Sequence, residues 1–340
     1  MNCFNTISYS YQMMDVSERL VEGYFIRTED NLIFEVKGIV HPKDRTIAYL
    51  RYVPDSESVS GFRKIYDLRE RENYLKQNFP DYLWFSKPHG RIVQSVPHEK
   101  VGQILNPVKH VSIIRGKSDS LSVATSQLVD VLMEYTKVDS SDIGVTGSQL
   151  IDIAGETSDI DLIVLGESAC YDFYNNLKYN FEKIPGVKCY TGNFLEEHLS
   201  FRWGKIEKYH ELLGKIESKK ILQGIFRDHQ FFIRLVKRPK DIKDIFGQIV
   251  TENIGPREIQ CEIIDDKESI FSPCRYRVDC RDFPDLKWII SYRGRFTEHV
   301  SKGEIVNSKG RLENVFDSSS GESYKQLVLG EDLLDYLLPV

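Results

Sequence analysis

The residues of this chain whose types and spacing could do chemistry are Gly147 and Ser148, followed after Gln149 to Ser158 by Asp159 and Asp161. Side chains alternate across a strand, so both aspartates are expected on one face, with Ile160, Leu162 and Val164 on the other. Two carboxylates on one face make a hard, oxygen-rich site. Mg²⁺ favours such ligands and leaves water and phosphate oxygens to complete its shell. Gly147 lets the backbone approach a ligand with no Cβ in between. Ser148 is expected to cap the turn of QLIDIA and leave backbone N–H groups free for an anion. One loop would then hold phosphates, and the next strand would hold the metal that bridges them.

These residues need a sheet and helices to position them. LSVATSQLVDVLMEYTKV reads as a helix with Leu121, Leu128, Val129, Leu132 and Tyr135 on one face. IGVTG and DIDLIVLG read as strands, and CYDFYNNLKYNFEKI as a helix stopped by Pro185-Gly186. VKCYTG is a brief strand. A long amphipathic helix is expected over 195–222, broken near Gly204, then the strand QFFIRLVKR and a last helical segment, KDIKDIFGQIV. Alternating strands and helices imply an α/β domain.

This order resembles the nucleotidyltransferase fold typified by DNA polymerase beta: strand, Gly147-Ser148, a short spacer, then Asp159-Ile160-Asp161-Leu162. Archaeal predicted nucleotidyltransferases look broadly similar. The resemblance covers the motif and the domain around it, 116–250. It implies an α/β (α+β) nucleotidyltransferase-like mixed sheet with helices. It also implies Mg²⁺ or Mn²⁺ held by Asp159 and Asp161, an NTP held at Gly147 and Ser148, and transfer of an NMP group to a hydroxyl-bearing acceptor. The acceptor is left open among RNA, DNA, a protein side chain and a small molecule.

The family has a third carboxylate on a later strand. In QFFIRLV the usual pattern puts Arg234 at that place. Asp228, just before the strand, is taken as the third acid, with Glu262 as the other candidate. Arg234 is taken as a nucleotide contact, within a basic stretch that also offers Arg202, Lys219, Lys220, Arg227, Lys237 and Arg238. Arginine suits bidentate phosphate recognition, although such residues also pair with Glu on solvated helix faces. The alternative to an enzyme is a catalytically degenerate module that binds nucleotide or nucleic acid. Arg234 in place of an acid favours it, and the retention of both aspartates disfavours it.

Two blocks flank this domain. Residues 15–115 are expected to form an α+β domain. NLIFEVKGIV and RTIAYLRYV form a hairpin there, YDLRERENYLKQNF is a helix ended by Pro80, and VPHEKVGQIL is a short helix. Residues 256–340 are expected to form a small β-barrel or sandwich, from short strands between Pro, Gly, Ser and Asp. Its SYRGRF and SKGRL segments would suit a stacking platform for single-stranded nucleic acid; equally, the aromatics belong to the core.

Composition bounds the rest. The chain has 340 residues, 41% hydrophobic and 28% charged, which fits more than one soluble globular domain. A net charge of −6 argues against a general nucleic-acid coat, yet 205–244 carries eleven Lys or Arg against six Asp or Glu. The six cysteines lack zinc-knuckle spacing and the eight histidines form no HExxH pattern, so reduced cysteines in a cytoplasmic protein are expected. MNCFNTISYSYQMMDV has no basic segment followed by an apolar one, unlike a secretory signal. It reads as a short leader, with Met13 or Met14 as an alternative start. No run is apolar enough to span a bilayer.

Overall fold

The computed structural model describes residues 20–340, a mixed α+β chain built on three sheets. The leader lies outside the described residues.

The N-terminal sheet contains β1 (Phe25–Thr28), β2 (Ile33–Val36), β3 (Arg45–Pro54), β4 (Phe62–Lys64), β5 (Leu83–Ser86), β6 (Arg91–Pro97) and β7 (Val101–Leu105). Its order is β5-β6-β3-β2-β1-β7, with β4 added to β3. The expected hairpin is β2 with β3. Helix α1 (Leu68–Asn78) starts where the Asp67 carboxylate accepts from the Glu70 N–H. VPHEKVGQIL is not a helix. Val101–Leu105 pairs antiparallel with β1, so sheet pairing wins over local helical pattern.

Next come α2 (Pro107–Arg115), α3 (Ser120–Thr136), β8 (Ile143–Val145), α4 (Gly147–Leu150), β9 (Ile160–Leu165), α5 (Glu167–Asn180), β10 (Val187–Lys188), α6 (Gly192–Trp203), α7 (His210–Glu217), β11 (Gln223–Phe226) and β12 (His229–Val236). Asn106 caps α2 ahead of Pro107, and Asp119 caps α3. The sheet order is β10-β11-β12-β9-β8, and β12 runs parallel to β9. One face packs on the helices: Ile160, Leu162 and Val164 meet Leu128, Leu132, Phe173 and Leu177. On the other, Ile163, Leu165 and Val236 meet Val21 from the N-terminal region. The long helix is two helices, interrupted after Trp203. KDIKDIFGQIV is not a helix: its first two residues end a single turn, Pro239–Asp241, where the Asp241 carboxylate accepts from the Arg238 and Glu167 N–H groups, and its last two, Ile249 and Val250, begin a strand.

The third sheet contains β13 (Ile249–Asp265), β14 (Cys274–Asp279), β15 (Leu286–Ser291), β16 (Ile305–Asp317), β17 (Glu322–Leu329) and β18 (Tyr336–Pro339). Its order is β13-β14-β15-β17-β16-β18, and the pairing of β13 with β16 closes a ring around Ile263, Tyr276, Ile289 and Leu327. SYRGRF leaves β15 at Ser291 and turns. Arg293 donates to the Gly330 carbonyl, Arg295 donates to the Arg202 carbonyl, and Phe296 is buried. In SKGRL, Arg311 pairs with Glu313 and Glu331. These arginines therefore serve the fold. Among the described residues no helix is long and apolar enough to cross a membrane.

Candidate functional site

Gly147 follows β8 through Thr146, whose N–H donates to the Asp161 carbonyl at 2.9 Å. This bond brings the Gly-Ser turn against the start of β9. Gly147 has φ +67°, and a Cβ there would lie 2.1 Å from Asp161 Oδ2. Only glycine meets both demands. Beyond it, the Ile153 N–H returns to the Ser148 carbonyl, and Thr125 donates to the Gln149 side chain at 2.9 Å. Ser148 caps nothing. Thr146 occupies the cap position of α4 without a capping bond; its hydroxyl instead donates to the Gly23 carbonyl at 2.6 Å. Among the described residues the Ser148 hydroxyl has no hydrogen-bond partner.

Asp159 is exposed at the mouth and Asp161 is half-buried behind it. Among the described residues neither carboxylate takes a hydrogen bond or a close ion pair. Loss of hydration raises the Asp159 carboxyl above its ordinary range, opposed by Arg202, Lys64 and His198. Loss of hydration likewise raises Asp161; Asp159 and Glu35 push it further up, while Arg234 and Lys64 oppose.

Among the described residues several neighbouring charges are paired with one another. Glu35, on β2, takes Arg234 at 2.8 Å, Lys37 at 3.1 Å and Arg51 at 3.1 Å, and Glu22 takes Lys37 at 3.2 Å. Burial opposes the Glu35 charge, but these three cations outweigh it and hold the carboxyl well below the usual range. Arg234 thus shares the face of Asp161 with its guanidinium committed to acids. Lys237 is held by Glu167 and Glu268, Arg238 by Asp142, and Lys220 by Glu217. Lys219 and Arg227 are exposed.

In register, Phe232 rather than Arg234 stands opposite Asp161; Arg234 stands opposite Ile163. The Arg202 guanidinium lies 5.2 Å from the centre of the Phe232 ring, and a Cβ at Gly294 would come within 2.4 Å of that ring's tip. Asp228 sits exposed in the turn between β11 and β12, three residues before the Phe231–Ile160 pair, and the charges acting on Asp159 do not include it. Glu262 is exposed on β13, between Asp279 and Ile305. Among the described residues no three His, Cys, Asp or Glu side chains converge as a metal cluster. The site therefore unites Gly147, Ser148, Asp159 and Asp161, with Arg234 behind them and Asp228 and Glu262 apart.

"Uncharacterized protein MJ1086" of Methanocaldococcus jannaschii is 26% identical over 323 residues, covering 90% of this chain and 94% of that protein. No family model and no solved structure matches the chain.

Glu22, Glu35, Lys64 and Phe232 escaped sequence reasoning. The first three reach the site from the N-terminal sheet region, and no local spacing announces them. Phe232 was signalled by strand alternation, which puts it on the same face as Arg234.

Proposed function

We infer that this chain is a Mg²⁺- or Mn²⁺-dependent nucleotidyltransferase moving an NMP group from an NTP to a hydroxyl-bearing acceptor, and that its central sheet is nucleotidyltransferase-like. The observation that carries this reading is a pair of carboxylates, Asp159 at the mouth and Asp161 half-buried behind it, that take no hydrogen bond or ion pair among the described residues and lie beside a glycine of positive φ. Desolvated charges are costly unless something pairs with them. Two such carboxylates, open on one side, suit a hard divalent cation whose remaining ligands are water and phosphate.

Asp159 and Asp161 would hold that cation, which when bound would neutralise charge on the reacting phosphates. Gly147 keeps the approach to Asp161 clear. The free Ser148 hydroxyl and the backbone of its turn donate to phosphate oxygens. Positioning and charge neutralisation supply most of the catalysis in phosphoryl transfer. Asp228, although apart from the pair, is kept as the third acid to be tested against Glu262, and nucleic acid, RNA or DNA, is one class of acceptor.

The second reading is a nucleotide-binding module without transferase activity. Phe232, standing opposite Asp161 in register, favours it. Incubation with each labelled NTP, Mg²⁺ and total RNA, DNA or protein separates the two. Label transfer with pyrophosphate release, lost in Asp161→Asn and Asp228→Asn and kept in Glu262→Gln, is the transferase result. Loss in Glu262→Gln instead of Asp228→Asn moves the third acid to β13. Metal-dependent NTP binding with no transfer to any acceptor is the module result.

A further inference from the structure

Two cysteines of the third sheet share one place in its ring. Along β13, Ile259, Cys261 and Ile263 are buried while Glu258, Gln260 and Glu262 are exposed. Along β14, Cys274, Tyr276 and Val278 are buried, and Cys280 follows the strand with the same alternation. All these buried side chains belong to one core. Glu262 pairs with Asp279 in antiparallel register, and one step further along that register Cys261 stands opposite Cys280. The Cys280 thiol also reaches across the strands: it donates to the Gln260 carbonyl, next to Cys261, at 3.4 Å. Both thiols are free.

Residues directly opposite on antiparallel strands have Cα atoms about 4.5–5.5 Å apart. That lies inside the range of about 4.4–6.8 Å that a disulfide spans, so the register suits a bond between the two strands. Cys274 provides the contrast within the same ring. It is buried as deeply, and burial pushes its thiol and that of Cys261 up to about 12 alike. Its place in register, however, faces Ser291. Burial slows oxidation of both thiols, and a partner across the strand is what sets Cys261 apart.

We propose that Cys261 and Cys280 are a dithiol site that a peroxide oxidises to a disulfide, fastening β13 to the end of β14. Cys280, past the strand end and beside exposed Arg281 and Asp282, reacts first. Its thiolate sulfur attacks one peroxide oxygen, the O–O bond breaks and hydroxide leaves, giving a sulfenic acid. The Cys261 sulfur then attacks the Cys280 sulfur. The S–O bond breaks, and the hydroxyl leaves as water with the Cys261 proton. Two thiols give up two electrons and two protons, and one peroxide becomes two waters. A thiol reductant reverses the change by exchange. Because β13 pairs with both β14 and β16, the bond holds the strand that closes the ring. The site does not depend on Asp159 and Asp161.

Hydrogen peroxide added to the folded full chain tests it. The remaining thiols are alkylated after denaturation, and the digested chain is read by mass spectrometry. The expected result is a pair of peptides joined through Cys261 and Cys280, separated by dithiothreitol, with Cys274 still alkylated. The oxidised chain should also unfold at a higher urea concentration than the reduced one. In Cys261→Ala, circular dichroism first showing a folded chain, Cys280 should stop at a sulfenic acid that dimedone traps. The wild-type spectrum decides the matter if that variant does not fold. Both thiols still alkylated, at a peroxide dose that oxidises free cysteine in the same tube, overturns the site. So does either thiol joined to a different cysteine, or Cys280 carried on to sulfinic acid in the wild type. A joined pair with a lower urea midpoint overturns the fastening, because the strands must then distort to make the bond.

Discussion

Glu217 and Asp161 are both carboxylates withdrawn from water, at opposite ends of one structural choice. Glu217, at the end of α7, lies 2.9 Å from His198 Nε2 and accepts from Trp203 at 3.1 Å, Lys220 at 2.9 Å and Gln223 at 2.5 Å. Burial opposes its charge, but Lys220 and His198 outweigh burial and hold the carboxyl well below its ordinary value of 4.5. Asp161 has a glycine pressed against it, cations at a distance, and a carboxyl raised above its ordinary value. One region uses its charge to join elements of the fold. The other leaves its charge open, and an open charge in a half-buried place is a binding capacity kept at a cost in stability.

The sharpest break in this comparison is at Glu217. Glu217→Gln leaves the Lys220 ammonium buried without its carboxylate, and removing one partner of a buried pair costs about 3–5 kcal/mol. Urea unfolding followed by circular dichroism should show that drop. The pH dependence has a definite sign. A folded-state pKa below the unfolded one gives stability that is present above the unfolded value and is lost as pH falls toward the folded one. Acidification below about 4.5 should therefore weaken the wild type more steeply than Glu217→Gln. Parallel profiles would remove Glu217 as a structural charge.

Gly147→Ala comes next. The new Cβ must take a left-handed backbone and meet Asp161 Oδ2 at 2.1 Å. Such strain costs about 1–3 kcal/mol. The urea midpoint should fall and metal-dependent nucleotide binding should be lost. A variant with both intact would show that the turn moves freely away from β9.

Asp161→Asn should act in the opposite direction to Glu217→Gln. Removing a charge that the fold leaves unserved should raise stability by about 0.5–2 kcal/mol without metal, while abolishing Mg²⁺-dependent nucleotide binding. In the wild type the raised carboxyls of Asp159 and Asp161 contribute the reverse pH slope. Protonation favours the folded state, so their contribution worsens as pH rises from the ordinary Asp value of 3.8 through the raised one. A lower melting temperature for Asp161→Asn would mean that the carboxylate has a structural partner after all.

How much of this was legible in the chain depends on the range of the signal. Alternation along DIDLIVL separates the two faces of β9, and Ile160, Leu162 and Val164 are buried on the helix side as that period requires. The third-acid position shows the limit of such a signal. A shift of two residues along a strand keeps every side chain on its face, so the apolar pattern of QFFIRLV does not distinguish Phe232 from Arg234 as the neighbour of Asp161. Hydrogen-bond register decides it in favour of Phe232. Glu35 and Lys64 were beyond reach for another reason: they arrive by packing of one sheet against another. The same holds for Val101–Leu105, whose strand exists because β1 offers it an edge.

Ser148→Ala is the mildest of these changes and discriminates most finely. Had the hydroxyl capped α4, its loss would cost about 1 kcal/mol. The cap position belongs to Thr146, and the Ser148 hydroxyl holds nothing among the described residues. Stability should therefore stay within about 0.5 kcal/mol of the wild type. If the hydroxyl serves a phosphate oxygen, the loss appears only with ligand present, as a several-fold weaker affinity for Mg²⁺-ATP in calorimetry, about one hydrogen bond's worth. Unchanged stability with unchanged affinity would leave Ser148 as a small residue that fits the turn, and would move the phosphate contact to the backbone N–H groups. A clear loss of stability without ligand would return Ser148 to the fold and place it with Glu217 rather than with Asp161.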